Sequence, residues 1–179
     1  MRKVVYGGAC SLDGYLARED GSVDWLMYSD EAAELMKESW NRFDTMLMGR
    51  ITYEVARKSM PEGSTGANPY GEIETYVFST TLDPTEQKGV NVVSENAGEL
   101  VRGLKERDGK DICVMGGGVL AQSLFEAGVI DEVGFNIHPV LLGSGIPSFH
   151  TMSRQIDLEL VESRALKNGC VYVLYSVKH

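Results

Sequence analysis

The sequence predicts an α/β domain: a mixed, mainly parallel sheet of about eight strands, the middle of three layers, flanked by helices and ending in an antiparallel C-terminal hairpin. Three observations predict it. Short Val-, Ile- and Tyr-rich runs alternate with segments of helical hydrophobic spacing. Two of those runs pass straight into glycine and then into a helix, at Met48-Gly49-Arg50 and at Met115-Gly116-Gly117-Gly118. The last two runs are joined through Asn168-Gly169, a pair that tolerates positive φ at both positions and so favours a tight hairpin.

In order, residues 3–11 read as a strand, and residues 12–29 as a Gly- and Asp-rich connection. Asp30 can cap a helix running to Phe43, with Ala33, Met36, Trp40 and Phe43 on its inward face. Residues 45–48 form a short apolar strand, and a second helix covers 52–59. The breaker-rich PEGSTGANPYG (61–71) is a long loop. Strands follow at 75–79 and 90–93, then a helix at 97–107 with Leu100, Val101 and Leu104 inward. A buried strand at 111–115 leads to a helix at 119–127, a strand at 132–138 and a loop at 142–148. The hairpin strands are 156–166 and 170–177.

A chain of 179 residues with no internal repeat or linker is read as one domain, 1–179. Its 43% hydrophobic content is enough for a proper core. The net charge of −9, with no Lys/Arg-rich stretch, argues against nucleic acid as a partner. It leaves room for an anionic ligand held locally by backbone amides and one or two Arg. Cys10, Cys113 and Cys170 are far apart, odd in number and set among apolar residues, so they read as buried thiols in a reducing compartment; no metal site is expected. No signal-peptide or membrane-spanning stretch is read, which points to a cytoplasmic protein that makes no use of a membrane.

The strongest chemical signal is the strand–Gly116-Gly117-Gly118–helix junction. Glycines let a phosphate approach the backbone, and a helix start offers free N–H groups and partial positive charge. The same pattern also serves as a plain tight turn. It is neither GxGxxG, since Ala121 stands at the last glycine position, nor a Walker loop. At the second junction, Arg50 sits at a helix start, where the dipole disfavours a cation; a bound anion explains the choice, and a solvated surface Arg is the alternative. Asp13, after the first strand, lies at the expected C-terminal edge of the sheet, where open α/β sheets bind ligands. It could hold a ring N–H or a hydroxyl, relay a proton, or simply form an Asp-Gly turn. His138, His150 and His179 are scattered and read as structural or solvated.

Five motifs in one order span nearly the whole chain: SLDGYLA (11–17), LMGRITYE (47–54), YVFST (76–80), VMGGGVLAQSLFEAGVIDE (114–132) and PVLLGSGIPSF (139–149). Together they resemble the dihydrofolate-reductase-like superfamily, in the branch similar to the C-terminal reductase domain of bacterial riboflavin biosynthesis. The resemblance implies an eight-stranded mixed sheet, NADPH as hydride donor and a homodimer. It places Gly49, Arg50 and Thr52 on the cofactor's phosphates, Ser79 and Thr80 near the adenosine 2′-phosphate, and Gly116, Gly117, Gly118, Val119 and Leu120 around the pyrophosphate. Asp13 and Gly14 fall near the nicotinamide and the substrate, with Trp25 and Leu26 as a substrate wall.

Two positions depart from the family. Many relatives carry Arg directly after the mid-chain Ser; Thr80 forms no charged clamp, so NADH stands beside NADPH as a possible cofactor. Dihydrofolate reductases place a carboxylate on the first helix; the nearest register here is Ala33, with Glu34 about 100° round the helix. The expected activity is therefore reduction of a small heterocyclic substrate, resembling that of 5-amino-6-(5-phosphoribosylamino)uracil reductase or dihydrofolate reductase. Asp13 or an ordered water supplies the proton. The alternatives are a catalytically silent nicotinamide-nucleotide-binding protein of the same fold, an interaction protein whose glycines are only turns, and a doubly wound phosphosugar enzyme or transferase.

Overall fold

The computed structural model describes residues 1–58 and 71–178. The expected 61–71 loop, apart from Gly71, lies outside the described residues, as do Ser59 and His179. Among the described residues, ten strands and four α-helices run in the order β1 (Val4–Ser11), β2 (Tyr15–Ala17), α1 (Asp30–Trp40), β3 (Phe43–Gly49), α2 (Arg50–Lys58), β4 (Glu74–Phe78), β5 (Asn91–Val93), α3 (Ala97–Glu106), β6 (Asp111–Met115), α4 (Gly118–Glu126), β7 (Glu132–His138), β8 (Ile146–Pro147), β9 (Leu158–Ala165) and β10 (Val171–Val177).

Eight strands form one sheet in the order β5-β4-β3-β6-β1-β7-β10-β9. The six from β5 to β7 are parallel, β10 is antiparallel to β7, and β9 is antiparallel to β10. Right-handed crossovers put α1 and α2 on one face and α3 and α4 on the other. On the α3/α4 face, Val4, Tyr6, Leu47, Ile112 and Val114 of the sheet pack with Val101, Leu104 and Leu124. On the opposite face Tyr53 of α2 packs on Met46, Met48 and Val77. Each such side chain contributes about 1.5–3 kcal/mol on burial, so the alternation of inward residues, rather than local propensity, holds the strands in register.

Buried charges gather at the N-terminal edge of the parallel strands. Arg2, 6% exposed, donates to Asp44, to the Thr45 hydroxyl and to the Lys110 carbonyl. Glu132, 3% exposed, accepts from Lys3 and from Arg42, which also grips Asp111. Buried Arg2 and Glu132 thus each have a partner of opposite sign. The opposite edge, where the strands end, carries the glycine junctions.

The first helix differs from the expectation. It stops at Trp40, and Phe43 opens β3. Its cap is Ser29, whose side chain accepts the Ala32 N–H, rather than Asp30. Its inward face is Ala32 and Leu35, packed on Leu166, Cys170 and Tyr172, and Trp40 at its end packs beside Met46 and Met48 as expected, while Ala33 and Met36 are exposed. The spacing of Ala33, Met36, Trp40 and Phe43 fits a helix that continues past residue 41; once the chain turns at Asn41, the register is set by packing against the C-terminal hairpin. Two further elements lie in segments read as loops: β2 and β8 pair as a small antiparallel ribbon. Helices α2 and α4 begin two residues and one residue earlier than expected, directly on their glycines.

Candidate functional site

Strand β3 ends at Gly49 and α2 begins at Arg50 with no intervening loop. Strand β6 ends at Met115, and Gly116 (φ 62°) and Gly117 (φ 51°) turn the chain into α4. Both values lie in the left-handed region that glycine alone occupies cheaply. Because β3 and β6 are neighbours, the two junctions meet. A Cβ on Gly117 would stand 3.9 Å from the Gly49 nitrogen, and one on Gly116 would stand 2.9 Å from Thr52 Cγ2 and closer still to its hydroxyl.

The caps show what these helix ends offer. Helix α1 is capped by Ser29 with Asp30 and Glu31 in its first turn; α3 is capped by Asn96 with Glu99 in its first turn. Helix α4 starts at Gly117 with no side-chain cap, and neither α2 nor α4 has an acid in its first turn. The two ends that converge are thus the two left without neutralising carboxylates, so their dipoles and first-turn N–H groups can act together on an anion. Val119 is 64% exposed while the Leu120 side chain is buried in the core. What Leu120 offers a ligand is its main-chain N–H.

Arg50 lies at the start of α2, and its Nη1 donates to both oxygens of Glu54, at 2.8 and 3.0 Å. The pair is half-exposed and four residues apart on one helix, an arrangement worth a few tenths of a kcal/mol. Ser79, after β4, accepts the N–H groups of Thr81 and Leu82 and so builds a tight turn; Thr80 is exposed at that turn.

Asp13 is placed at the same edge but is fully engaged. Oδ1 accepts from the Ser11 hydroxyl at 2.6 Å and the Leu142 N–H at 3.1 Å, and Oδ2 accepts from the Gly143 N–H at 2.8 Å. The Ser11 hydroxyl, followed by the Gly143 and Leu142 amides, holds its carboxyl below the usual carboxylate range. A carboxylate so held is an acceptor that ties the 12–14 turn to the 142–143 loop, and a poor donor of a proton. Gly14 extends the tie: its carbonyl accepts both the N–H and the hydroxyl of Ser148. Trp25 is 8% exposed, packed edge-on against His138 with ring centroids 5.3 Å apart, and Leu26 beside it is half-buried.

The structure thus gathers Gly49, Arg50, Thr52 and Gly116–Leu120 in one place. It sets Asp13, Gly14, Trp25 and Leu26 around the ends of β1 and β7, and Ser79 and Thr80 after β4. His138, read from the sequence as structural or solvated, is structural: it is 2% exposed and accepts the Met27 N–H. Cys10 and Cys170 are buried and Cys113 is partly so; burial pushes the Cys10 thiol up to about 11, away from reactivity.

A scan of protein families matches the RibD C-terminal domain model over residues 2–172. The chain belongs to the RibD C-terminal domain family. It is 35% identical over 160 residues to the uncharacterized protein YwjB of Bacillus subtilis (strain 168), covering 89% of each. Among solved structures it resembles a putative riboflavin biosynthesis protein from Shewanella sp. PV-4, with a TM-score of 0.77, 24% identity and full coverage of both chains. It also resembles dihydrofolate reductase from Enterococcus faecalis complexed with NADP(H), with a TM-score of 0.68, 17% identity, and 99% and 97% of the two chains covered. The fold is the dihydrofolate-reductase-like fold that the five motifs suggested. Among the described residues, no helix is long and apolar enough to cross a membrane.

Proposed function

We propose that the chain is an NADPH-dependent reductase acting on a small heterocyclic substrate. The observation that carries this reading is the meeting of the β3–α2 and β6–α4 junctions, two helix starts free of acids beside glycines whose Cβ atoms would fill the gap between them. That donor set fits a pyrophosphate: main-chain N–H groups from Gly118, Val119 and Leu120, with Arg50 released from Glu54 to a phosphate oxygen. When bound, the cofactor supplies the hydride. Membership of the RibD C-terminal domain family supports a reductase; Thr80 leaves NADH as an alternative donor.

The residues of the chain then act by placement. The Asp13 carboxylate holds the 142–143 loop over the end of β1, and Trp25 and Leu26 wall the substrate end and exclude water. The proton that completes reduction comes from an ordered water rather than from Asp13, whose oxygens already accept three hydrogen bonds. That same engagement favours a second reading, a nicotinamide-nucleotide-binding protein without turnover. Following NADPH absorbance at 340 nm with pteridines and ribosylaminopyrimidines separates the two. Substrate-dependent oxidation supports the reductase; tight binding without oxidation supports the silent binder.

The chain is also proposed to work as a cytoplasmic homodimer. Among the described residues, strand β9 is an outer edge of the sheet, with Leu158, Leu160 and Val161 41%, 54% and 55% exposed. It borders an apolar hollow of about 190 Å³ lined by Phe125, Phe149, Met152 and Leu158. A second copy would cover both. Sedimentation of Leu160→Asp should show a monomer; a wild-type monomer at micromolar concentration would end the idea.

A further inference from the structure

Met27 stands just after the Trp25–Leu26 wall, and both of its main-chain polar groups are taken by side chains from distant parts of the chain. Its N–H donates to His138 Nδ1 at 3.1 Å, at the end of β7. Its carbonyl accepts from Asn168 Nδ2 at 3.0 Å, in the turn between β9 and β10. We propose that His138 and Asn168 are positioning residues, which fasten Met27 at two points and preset the Trp25 wall at the substrate end of the site. The proposal rests on the reading of Trp25 and Leu26 as that wall.

The geometry assigns the ring its state. Nδ1 can accept the Met27 N–H only when it carries no proton, so the neutral imidazole bears its hydrogen on Nε2. The groups facing the ring are the Asn136 side-chain amide of β7, 3.3 Å from Nε2, whose oxygen accepts the Nε2 proton when the amide is turned to suit this tautomer, the Cys170 thiol at 3.4 Å from Nδ1, the Trp25 indole and the Met27 N–H. All four are neutral, and burial adds to the preference for the uncharged ring. Asn168 is equally specific. Its Oδ1 accepts the Cys170 N–H and shapes the hairpin turn, while its Nδ2 reaches across to Met27.

A purely structural role would be served by an apolar side chain at 138. The cluster instead leaves Trp25 Nε1 buried without a hydrogen-bond partner among the described residues. Folded cores avoid that cost unless something else is gained. The gain here is a fixed main chain at Met27, in a segment with no sheet or helix of its own to hold it. Fixing a loop before its ligand arrives removes an ordering cost from binding.

The test uses full-length protein in a Trp40→Phe background, so that Trp25 is the only fluorophore of its kind. Met27 amide exchange is read by NMR and Trp25 emission by fluorescence, both without ligand. Asn168→Asp keeps the oxygen that serves the turn and loses the donor to Met27. It should speed Met27 exchange at least tenfold and shift Trp25 emission to the red. His138→Leu should do the same, and His138→Asn, whose Oδ1 can stand where Nδ1 stood, should restore slow exchange. If His138→Leu does not fold, Asn168→Asp decides alone. In both loosened variants NADPH should bind at least threefold more weakly while 2′,5′-ADP, its adenosine half, binds as in wild type. Unchanged Met27 exchange in Asn168→Asp overturns the fastener. Loss of 2′,5′-ADP binding along with NADPH overturns its local action. If wild type binds neither ligand, the reductase reading fails, and the exchange data still judge the fastener.

Discussion

Replacing Gly116 by Ala tests whether the two glycine junctions touch. Two costs add. The backbone at Gly116 has φ +62°, and holding an L-residue in that region costs about 1–2 kcal/mol. The new methyl would also stand 2.9 Å from Thr52 Cγ2, with the hydroxyl nearer, and forcing extra carbon into a packed site costs about 1–3 kcal/mol. The sum is about 2–5 kcal/mol, or roughly 4–20 °C in Tm for a domain of this size. Gly117 is the internal control. Its φ of +51° carries the same strain, but its Cβ would meet nothing nearer than 3.9 Å. Gly117→Ala should therefore lose only about 1–2 kcal/mol. Adding Thr52→Ala to Gly116→Ala removes the two nearest atoms and should recover most of the difference between the single variants. Thermal and urea unfolding, followed by tryptophan fluorescence, measure all three. Equal losses in the single variants, with no recovery on Thr52→Ala, would refute the contact between the junctions on which the proposed phosphate site rests.

Other residues give independent readings. Asp13→Asn puts an N–H₂ group against one of three donors, so it should lower Tm and reduce turnover and NADPH affinity together; a fall in turnover alone, at unchanged Tm and affinity, would restore Asp13 as the proton source. For His138, burial holds the folded-state pKa below the ordinary 6.5. The unfolded chain therefore takes the proton first as pH falls, and the stability the neutral ring provides is whole above about pH 6.5 and is lost progressively below it. Wild type should lose more Tm between pH 7 and pH 5 than His138→Asn does, and parallel curves would contradict the assignment.

Much of the fold was legible because it depends on local pattern. Strands β6 and β7 have the bounds the sequence suggested, since each is a Val- or Ile-rich run between clear breakers. The glycine junctions were legible too, because a strand that meets consecutive glycines and then a helical stripe has few ways to fold. The inward face of α1 was legible only at Trp40, which packs beside Met46 and Met48; Ala33–Met36 and Ala32–Leu35 both have helical spacing, and the choice between them is made by Leu166 and Cys170, more than 120 residues away. The β2–β8 ribbon was hidden for the same reason, since two or three residues carry no periodicity and the pairing is long-range. At the site, sequence reasoning singled out the two glycine junctions, which the structure brings side by side. It could not see that Asp13 closes on Leu142 and Gly143, or that His138 and Asn168 meet at Met27, because those contacts form only when the strand ends are assembled.

The most direct test of the central claim is a calorimetric titration of NADPH and NADH into wild type and Arg50→Ala at fixed salt. A charged hydrogen bond to phosphate contributes about 1.5–3 kcal/mol, less the few tenths given up when Arg50 leaves Glu54. NADPH should bind at micromolar concentration and more tightly than NADH, and Arg50→Ala should weaken it about fivefold to sixtyfold. Binding of neither nucleotide by wild type would contradict the account, and NADPH affinity left unchanged by Arg50→Ala would contradict the place it gives Arg50.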